Sequence, residues 1–302
     1  NIIIGFDPIA PEYIMKLYDE SPQSEIVMQS SQDAEFVLRS LQSFLPSHVE
    51  KKLFVLRGER NSTEEIQRLH PETAKKVVVL GEPHENGHDS LNIDCSNIIA
   101  DEIKKNNPGS KRKPLPVFCH VFFLKPQIFQ ISKEFEHFDR SHIHFLPFNF
   151  YENWARLVFQ NNGWLPAKKE IAGESYTAID QNKVKLNTNY QLHFFILGFN
   201  SMGHAMVAQL IRICHFPNNQ HTTITVFDKN AKEKEELFKA HYPGIKDVRN
   251  ITLEFKNDHV NAEKTRKAIH DVTTDENILS YVIVCYKEPD LAISAGLNLP
   301  KE

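Results

Sequence analysis

The sequence lacks the features that mark several broad classes of protein. No run approaches the ~18 consecutive apolar residues of a membrane-spanning helix, and the start of the chain lacks the pattern of a secretory signal peptide. Basic residues do not outnumber acidic ones: the net charge is −4 and the pI is near 6.5. This balance argues against a nucleic-acid-binding protein, so we expect no nucleic-acid partner.

Cysteine is scarce, and the four cysteines have the spacing of neither a metal site nor a disulfide framework. We interpret them as reduced packing residues, which suits a cytoplasmic protein, including one at the cytoplasmic face of a membrane. The cysteines are Cys95, Cys119, Cys214 and Cys285.

The chain also lacks an initiator methionine and begins at Asn1 inside a predicted strand, so we expect a fragment of something longer.

The sequence does contain a buried-looking strand that runs into a glycine turn and then a helix. In Gly198-x-Asn200-x-x-Gly203 the first glycine permits a tight turn and the last lets the helix pack closely on the strand. Asn200 replaces the middle glycine, but it tolerates left-handed dihedral angles and can donate a hydrogen bond. The helix would begin at Ser201 and Met202, and its N–H groups would converge where a phosphate can bind.

An acidic residue follows at the end of the next predicted strand. Asp228 stands slightly beyond the usual ~20-residue distance from the glycine turn, and its carboxylate would accept hydrogen bonds from ribose hydroxyls. Lys229 beside it would favour a phosphate. The motif thus predicts an adenine nucleotide as ligand, either NAD(H) or ATP, ADP or AMP.

The same strand and turn, in weaker form, begin the chain at Ile2-Ile3-Ile4-Gly5, and the repetition continues in register. The sequence therefore predicts an α/β protein with two tandem Rossmann-like doubly wound parallel-sheet domains. We expect a first domain at residues 1–160, a linker at 161–189 and a second domain at 190–302 that is incomplete at its C-terminus. Matching strands are predicted at 2–4 and 194–197, 24–29 and 222–228, 52–59 and 251–258, and 77–83 and 281–289.

The second half is predicted to continue after its fourth strand only with the start of a helix at 290–297, whereas the first half continues further. Helices are expected at 94–104 and 127–134, and strands at 116–122 and 142–147. An additional amphipathic helix at 151–159 is predicted to pack outside the first sheet.

The order and spacing of several motifs resemble a known family. The chain looks like the potassium-transport regulators, which comprise Trk-type NAD-binding domains and domains that regulate potassium conductance, and the tandem arrangement is similar to the cytoplasmic region of CASTOR/POLLUX-like channels. The resemblance implies NAD or another adenine nucleotide as ligand, a homodimer, and a channel or transporter as partner. It also implies that Asp258 reaches toward the adenine. The motifs are Arg57-Gly58-Glu59, the stretch from Val77 to Glu82, the stretch from Pro116 to Val121, the stretch from Ile196 to Gly203, Asp228, and the stretch from Tyr281 to Asp290.

The first repeat is predicted to have lost its nucleotide site. Asp7-Pro8 removes the middle glycine and one N–H donor, and Gln29 stands where the ribose-binding acid is expected. The loop from Glu82 to Asp89 contains two histidines and three carboxylates, but its spacing favours a solvated loop over a metal site. His120 is interpreted as a core histidine.

Three functional classes remain open at this point. The first is a non-catalytic regulatory module in which a nucleotide bound to the second half controls an attached effector. The second is an NAD-dependent oxidoreductase, against which no Tyr-x-x-x-Lys pair stands beside the glycine motif. The third is a scaffold whose sites have decayed.

Overall fold

The computed structural model describes residues 1–82, 87–106, 113–122, 142–161, 169–171, 174–176, 184–258, 263–286 and 288–299. The chain divides into two compact units, Asn1–Phe150 and Tyr151–Glu302. Each unit has its own sheet of parallel strands.

The first unit contains a six-stranded parallel sheet with strand order β3-β2-β1-β4-β5-β6. Its strands are β1 (Ile2–Ile4), β2 (Ile26–Ser30), β3 (Leu53–Arg57), β4 (Val77–Val79), β5 (Leu115–His120) and β6 (Ile143–Phe148). Its described helices are α1 (Ala10–Glu20), α2 (Ala34–Gln42), α3 (Ser47–Glu50), α4 (Thr63–Gln67) and α5 (His88–Asn106). The helix predicted at 127–134 lies outside the described residues.

Both faces of this sheet are covered by helices. Ile2 and Ile4 pack in one core cluster with Ile99 of α5, whereas Ile3 packs in another with Ile14 of α1. A strand that is buried on both faces is apolar at every position, and this explains the uninterrupted apolar runs of the sequence.

The second unit repeats the first half of that topology, with strand order β11-β10-β9-β12. The prediction of two tandem Rossmann-like parallel-sheet domains is therefore confirmed. The strands are β9 (Gln191–Leu197), β10 (Thr222–Asp228), β11 (Ile251–Asn257) and β12 (Ile278–Val284). The described helices are α6 (Phe150–Asn161), α7 (Ser201–Ile213), α8 (Ala231–His241), α9 (Glu263–Thr273) and α10 (Pro289–Leu297).

Helix α6 forms where the sequence predicts a helix, but it belongs to the second unit. Ala155 and Phe159 are buried in the same cluster as Phe194 and Ile196 of β9. The apolar face of α6 therefore covers the second sheet rather than the first, and the first unit ends at Phe150 instead of residue 160.

The segment predicted as a linker, 161–189, contains regular structure. Strands β7 (Lys169–Ile171) and β8 (Glu174–Tyr176) pair antiparallel as a two-stranded sheet. The predicted linker therefore includes a short β-hairpin-like pair of strands.

The two edges of the second sheet differ in their side chains. β11 carries Glu254 and Lys256, which form a half-exposed ion pair of 3.0 Å between Oε2 and Nζ. β12 has no charged residue, its side chains are all half-buried, and among the described residues it pairs with β9 alone. Charged side chains on an edge strand hinder further strand pairing, so only the β11 edge is protected in this way.

Candidate functional site

The glycine turn of the second unit joins β9 to α7 at very close range. Gly198 has a φ of +90°, a left-handed conformation that favours glycine. A Cβ on Gly203 would lie 2.4 Å from the carbonyl oxygen of Gly198. Both glycines are therefore required by the backbone, as the sequence pattern predicts.

The turn lies at the point where the strand order of the second sheet reverses. From β9 the chain proceeds outward to β10 and β11, and then crosses to β12 on the other side of β9. Gly198 faces this crossing: a Cβ there would lie 3.1 Å from the carbonyl oxygen of Cys285 and from the ring of Tyr286. Ligands of open α/β sheets bind in the crevice outside the strand ends at such a switch point.

Asn200 does not act as the pattern suggests. Its φ of −87° and ψ of −169° are extended, so it does not take the left-handed conformation that the sequence analysis allowed. Its side-chain Oδ1 accepts hydrogen bonds from the N–H groups of Met202 and Gly203, both at 3.0 Å. Asn200 is thus the N-cap of α7, and it satisfies two of the N–H groups that a phosphate would otherwise use.

Ser201 supplies the N–H group that remains at this helix end. Within the described part of the chain its N–H has no acceptor, and its side chain is exposed. An anion placed there would meet this donor and the positive end of the helix dipole.

Asp228 ends β10 beside the turn, as predicted, but its carboxylate is already hydrogen-bonded. Oδ2 accepts from the N–H of Phe199 at 2.8 Å and from Nζ of Lys234 at 2.8 Å, and Oδ1 accepts from the N–H of Asn230 at 2.9 Å. Burial would raise the pKa of the Asp228 carboxyl, but the hydrogen bonds from Lys234, Asn230 and Phe199 outweigh burial and hold that pKa below its usual value.

Lys234, which the sequence analysis did not select, contacts the predicted site residue Asp228. It lies near the start of α8, six positions after Asp228, and its position there depends on the turn between β10 and α8. The available signal was an acidic strand end followed six residues later by a lysine in the first turn of the next helix.

The remaining predicted residues lie at the same edge of the sheet. Lys229 is exposed directly after β10, and the N–H of Asp258 donates to the backbone oxygen of Asp228 at 3.2 Å. The structure therefore brings Gly198, the start of α7, Asp228, Lys229 and Asp258 to the carboxyl ends of three neighbouring strands.

The corresponding turn of the first unit is tighter. Gly5 has a φ of +96°, and a Cβ there would lie 2.2 Å from the carbonyl oxygen of Gly81. Asp7 accepts a hydrogen bond from the N–H of Ile9 at 3.0 Å through its own Oδ1. The side chain of Asp7 thus takes a backbone donor that a ligand would need.

The position equivalent to Asp228 is Ser30, not Gln29. The N–H of Gly5 donates to the oxygen of Gln29 just as the N–H of Gly198 donates to the oxygen of Phe227. Gln29 therefore corresponds to Phe227, a core position, and the sequence comparison was wrong by one residue.

In the first unit, the carboxylate of Glu82 accepts hydrogen bonds from the polar groups at the end of β2. Its Oε1 accepts from Oγ of Ser30 at 2.8 Å and from the N–H of Ser31 at 3.0 Å, and its Oε2 accepts from Nε2 of Gln32 at 2.9 Å. A buried carboxylate from the end of β4 thus satisfies the donors at the end of β2.

The histidine loop falls only partly on described residues, because residues 83–86 lie outside them. His88 is buried, with Nε2 2.9 Å from the oxygen of Leu80 and Nδ1 3.0 Å from Oδ1 of Asp89. His120 is fully buried, and burial together with neighbouring His88 lowers its pKa to about 4, as fits a core histidine. The described residues hold no group of three or more metal-ligating side chains.

All four cysteines are buried and unpaired with one another. Burial raises the pKa of Cys119 and of Cys285 to about 12, which disfavours the reactive thiolate. The interpretation of the cysteines as reduced packing residues agrees with this burial.

Among the described helices, none has both the length and the apolar character needed to cross a membrane. No family model and no curated protein matches the chain. A solved structure described as the "adenylation, ketoreductase, and pseudo Asub multidomain structure of a keto acid-selecting NRPS module" aligns over 94% of this chain at 12% identity, with a TM-score of 0.29. This chain spans about a quarter of that protein, 26% of its length, and so distant a likeness carries no argument about function.

Proposed function

We propose that this chain is a non-catalytic regulatory module that binds one adenine nucleotide at the carboxyl edge of its second sheet. The observation that carries the proposal is the convergence of the Gly198 turn, the start of α7 and the carboxylate of Asp228 at the switch point between β9 and β12. NAD(H), ATP, ADP and AMP are the ligands to test.

The residues fit the parts of such a ligand. The N–H of Ser201 would face a phosphate, Gly198 and Gly203 let the turn and α7 pack closely enough to present that N–H, and Asp228 with Lys229 lies at the ribose end. Asp258 follows the next strand, toward the adenine side in the family that the sequence resembles. Asn200 competes with the phosphate for two N–H groups, which favours modest affinity.

The position of the Tyr-x-x-x-Lys pair in this chain favours a regulator over an oxidoreductase. The chain has one such spacing, Tyr242 and Lys246. Both residues follow α8 and precede β11, toward the amino ends of the strands. Tyr242 packs against the rings of Phe238 and His204, and Lys246 is exposed. We therefore expect no turnover of NADH or NADPH with carbonyl substrates.

Calorimetry with a pair of variants tests the site. Ser201 is the first residue of α7, where proline is favoured, and the extended Asn200 before it is compatible with proline. Ser201→Pro should keep the helix but remove the phosphate-facing N–H, whereas Ser201→Ala removes only the hydroxyl. We expect one nucleotide per chain, weakened about tenfold by proline and little by alanine.

Two results would contradict this assignment. Absence of binding heat with NAD, NADH, ATP, ADP and AMP would favour the second candidate function, a scaffold whose nucleotide sites have decayed. This candidate is supported by the hydrogen bonds of Asn200 and Glu82, which use donors within the chain itself. If Ser201→Ala and Ser201→Pro weaken nucleotide binding equally, the N–H of Ser201 does not contribute to that binding.

The proposed effector is a potassium or other cation channel or transporter, with the module as a homodimer at the cytoplasmic face. A nucleotide can act on such a partner only if it binds one arrangement of the two units more tightly than another. Spin-label distances between the units, measured with and without nucleotide in the full-length protein, test this step. Identical distance distributions would count against regulation by domain rearrangement.

A further inference from the structure

Lys234 forms an ion pair at the centre of the proposed ribose end. Its Nζ lies 2.8 Å from Oδ2 of Asp228, and the lysine side chain is 33% exposed whereas that of Asp228 is 11% exposed. The lysine is thus partly exposed and is held in place by a carboxylate that is itself almost covered.

The carboxylate of Asp228 has little capacity left for hydroxyl groups. A carboxylate offers about four acceptor positions, and the N–H of Phe199, the N–H of Asn230 and Nζ of Lys234 use three of them. Two ribose hydroxyls would therefore have to displace a donor. The backbone donors are fixed by the turns, so Lys234 is the one that would leave.

Lys234, in contrast, has donor capacity to spare. An ammonium group carries three N–H donors and no acceptor, and the contact with Asp228 uses one. Exposed Lys229 adds a second positive charge directly after β10, so two lysines balance the carboxylates of Asp228 and Asp258 at this edge of the sheet. An acceptor-rich anion matches these donors better than a hydroxyl pair does.

We propose that the second unit selects adenine nucleotides that carry a phosphate on the ribose 2′-hydroxyl over those with a free 2′-hydroxyl. Lys234 binds the phosphate, and Asp228 positions Lys234. This inference rests on the proposed function, because it assigns the ribose end of the same site.

Calorimetric titration of the chain with NADP and with NAD tests the selection. We expect NADP to bind about tenfold more tightly than NAD, as one added hydrogen bond between charged groups would give. Lys234→Met should abolish the preference and Lys234→Arg should retain it. Lys232→Met is the matched control on the same helix, because the side chain of Lys232 is exposed and only its backbone N–H is used, by Oδ1 of Asn257 at 3.1 Å.

The outcomes separate this inference from the proposed function. If NAD binds as tightly as NADP, the proposed selection is wrong but the proposed nucleotide site is not. If neither binds, both the selection and the nucleotide site are wrong. A preference that survives Lys234→Met, or that Lys232→Met also removes, would show that Lys234 does not determine it. Circular dichroism melting of each variant establishes that the loss is not a loss of folding.

Discussion

Two helical glycines of the second unit are expected to respond oppositely to alanine. Gly203 lies in α7, where a Cβ would meet the carbonyl oxygen of Gly198 at 2.4 Å. Gly296 lies in α10, where a Cβ would meet nothing within 4 Å. The same substitution therefore tests whether the close contact of strand and helix is what requires glycine.

The expected magnitudes follow from two opposing effects. Alanine in place of glycine favours a helix by about 1 kcal/mol, whereas an overpacked contact costs about 1–3 kcal/mol. The atom opposite Gly203 belongs to a backbone whose N–H is bonded to Phe227, so relief by a small shift is hindered and the upper end of that range applies. We expect Gly203→Ala to lower the free energy of unfolding by about 2 kcal/mol and Gly296→Ala to raise it by about 0.5 kcal/mol.

Urea unfolding followed by tryptophan fluorescence measures both changes. Trp154 lies on α6, which packs in the core of the second unit, so a change in its emission reports on that unit. A Gly203→Ala midpoint equal to or above that of the unmodified chain would refute the argument that the glycine is required by strand-helix contact.

Three further predictions follow from contacts in the second unit. Asn200→Ala should destabilise this unit by about 1 kcal/mol through loss of the α7 cap, while Asn200→Asp should keep the cap; equal urea midpoints for the two variants would contradict this. Burial lowers the pKa of His204 from 6.5 to about 4, so the unfolded chain binds the extra proton between these values and stability falls as the pH is lowered through that range. His204→Phe should flatten this slope in urea titrations at several pH values, and an unchanged slope would show that His204 does not contribute. We also expect a homodimer through the uncharged β12 edge, which Val282→Lys should convert to a monomer in light scattering while Thr252→Lys on β11 should not; a monomeric unmodified chain at tens of micromolar would rule this out.

The sheets could be predicted from the sequence because strands covered on both faces are apolar throughout. Ile2-Ile3-Ile4 and the run from Phe194 to Leu197 show this directly. The unit to which α6 belongs could not be predicted, because an amphipathic pattern shows that a helix has an apolar face but not which sheet that face covers.

The candidate site was predictable in its backbone and less so in its side chains. The two glycines are dictated by the turn, and local sequence reveals them. The equivalence of Ser30 and Asp228 depends on one backbone hydrogen bond, from Gly5 to Gln29, and no residue pattern encodes it. The cap formed by Asn200 did have a signal, since asparagine directly before a helix is a preferred N-cap.

The unequal edges of the second sheet limit how far that sheet can grow. β11 is protected by charged side chains, whereas β12 is not. A sheet that accepts a new strand at one edge only can join one further sheet, after which both outer edges of the assembly are charged. If copies of the chain associate through β12, the assembly would close at a pair, whereas two open edges would permit an endless fibre.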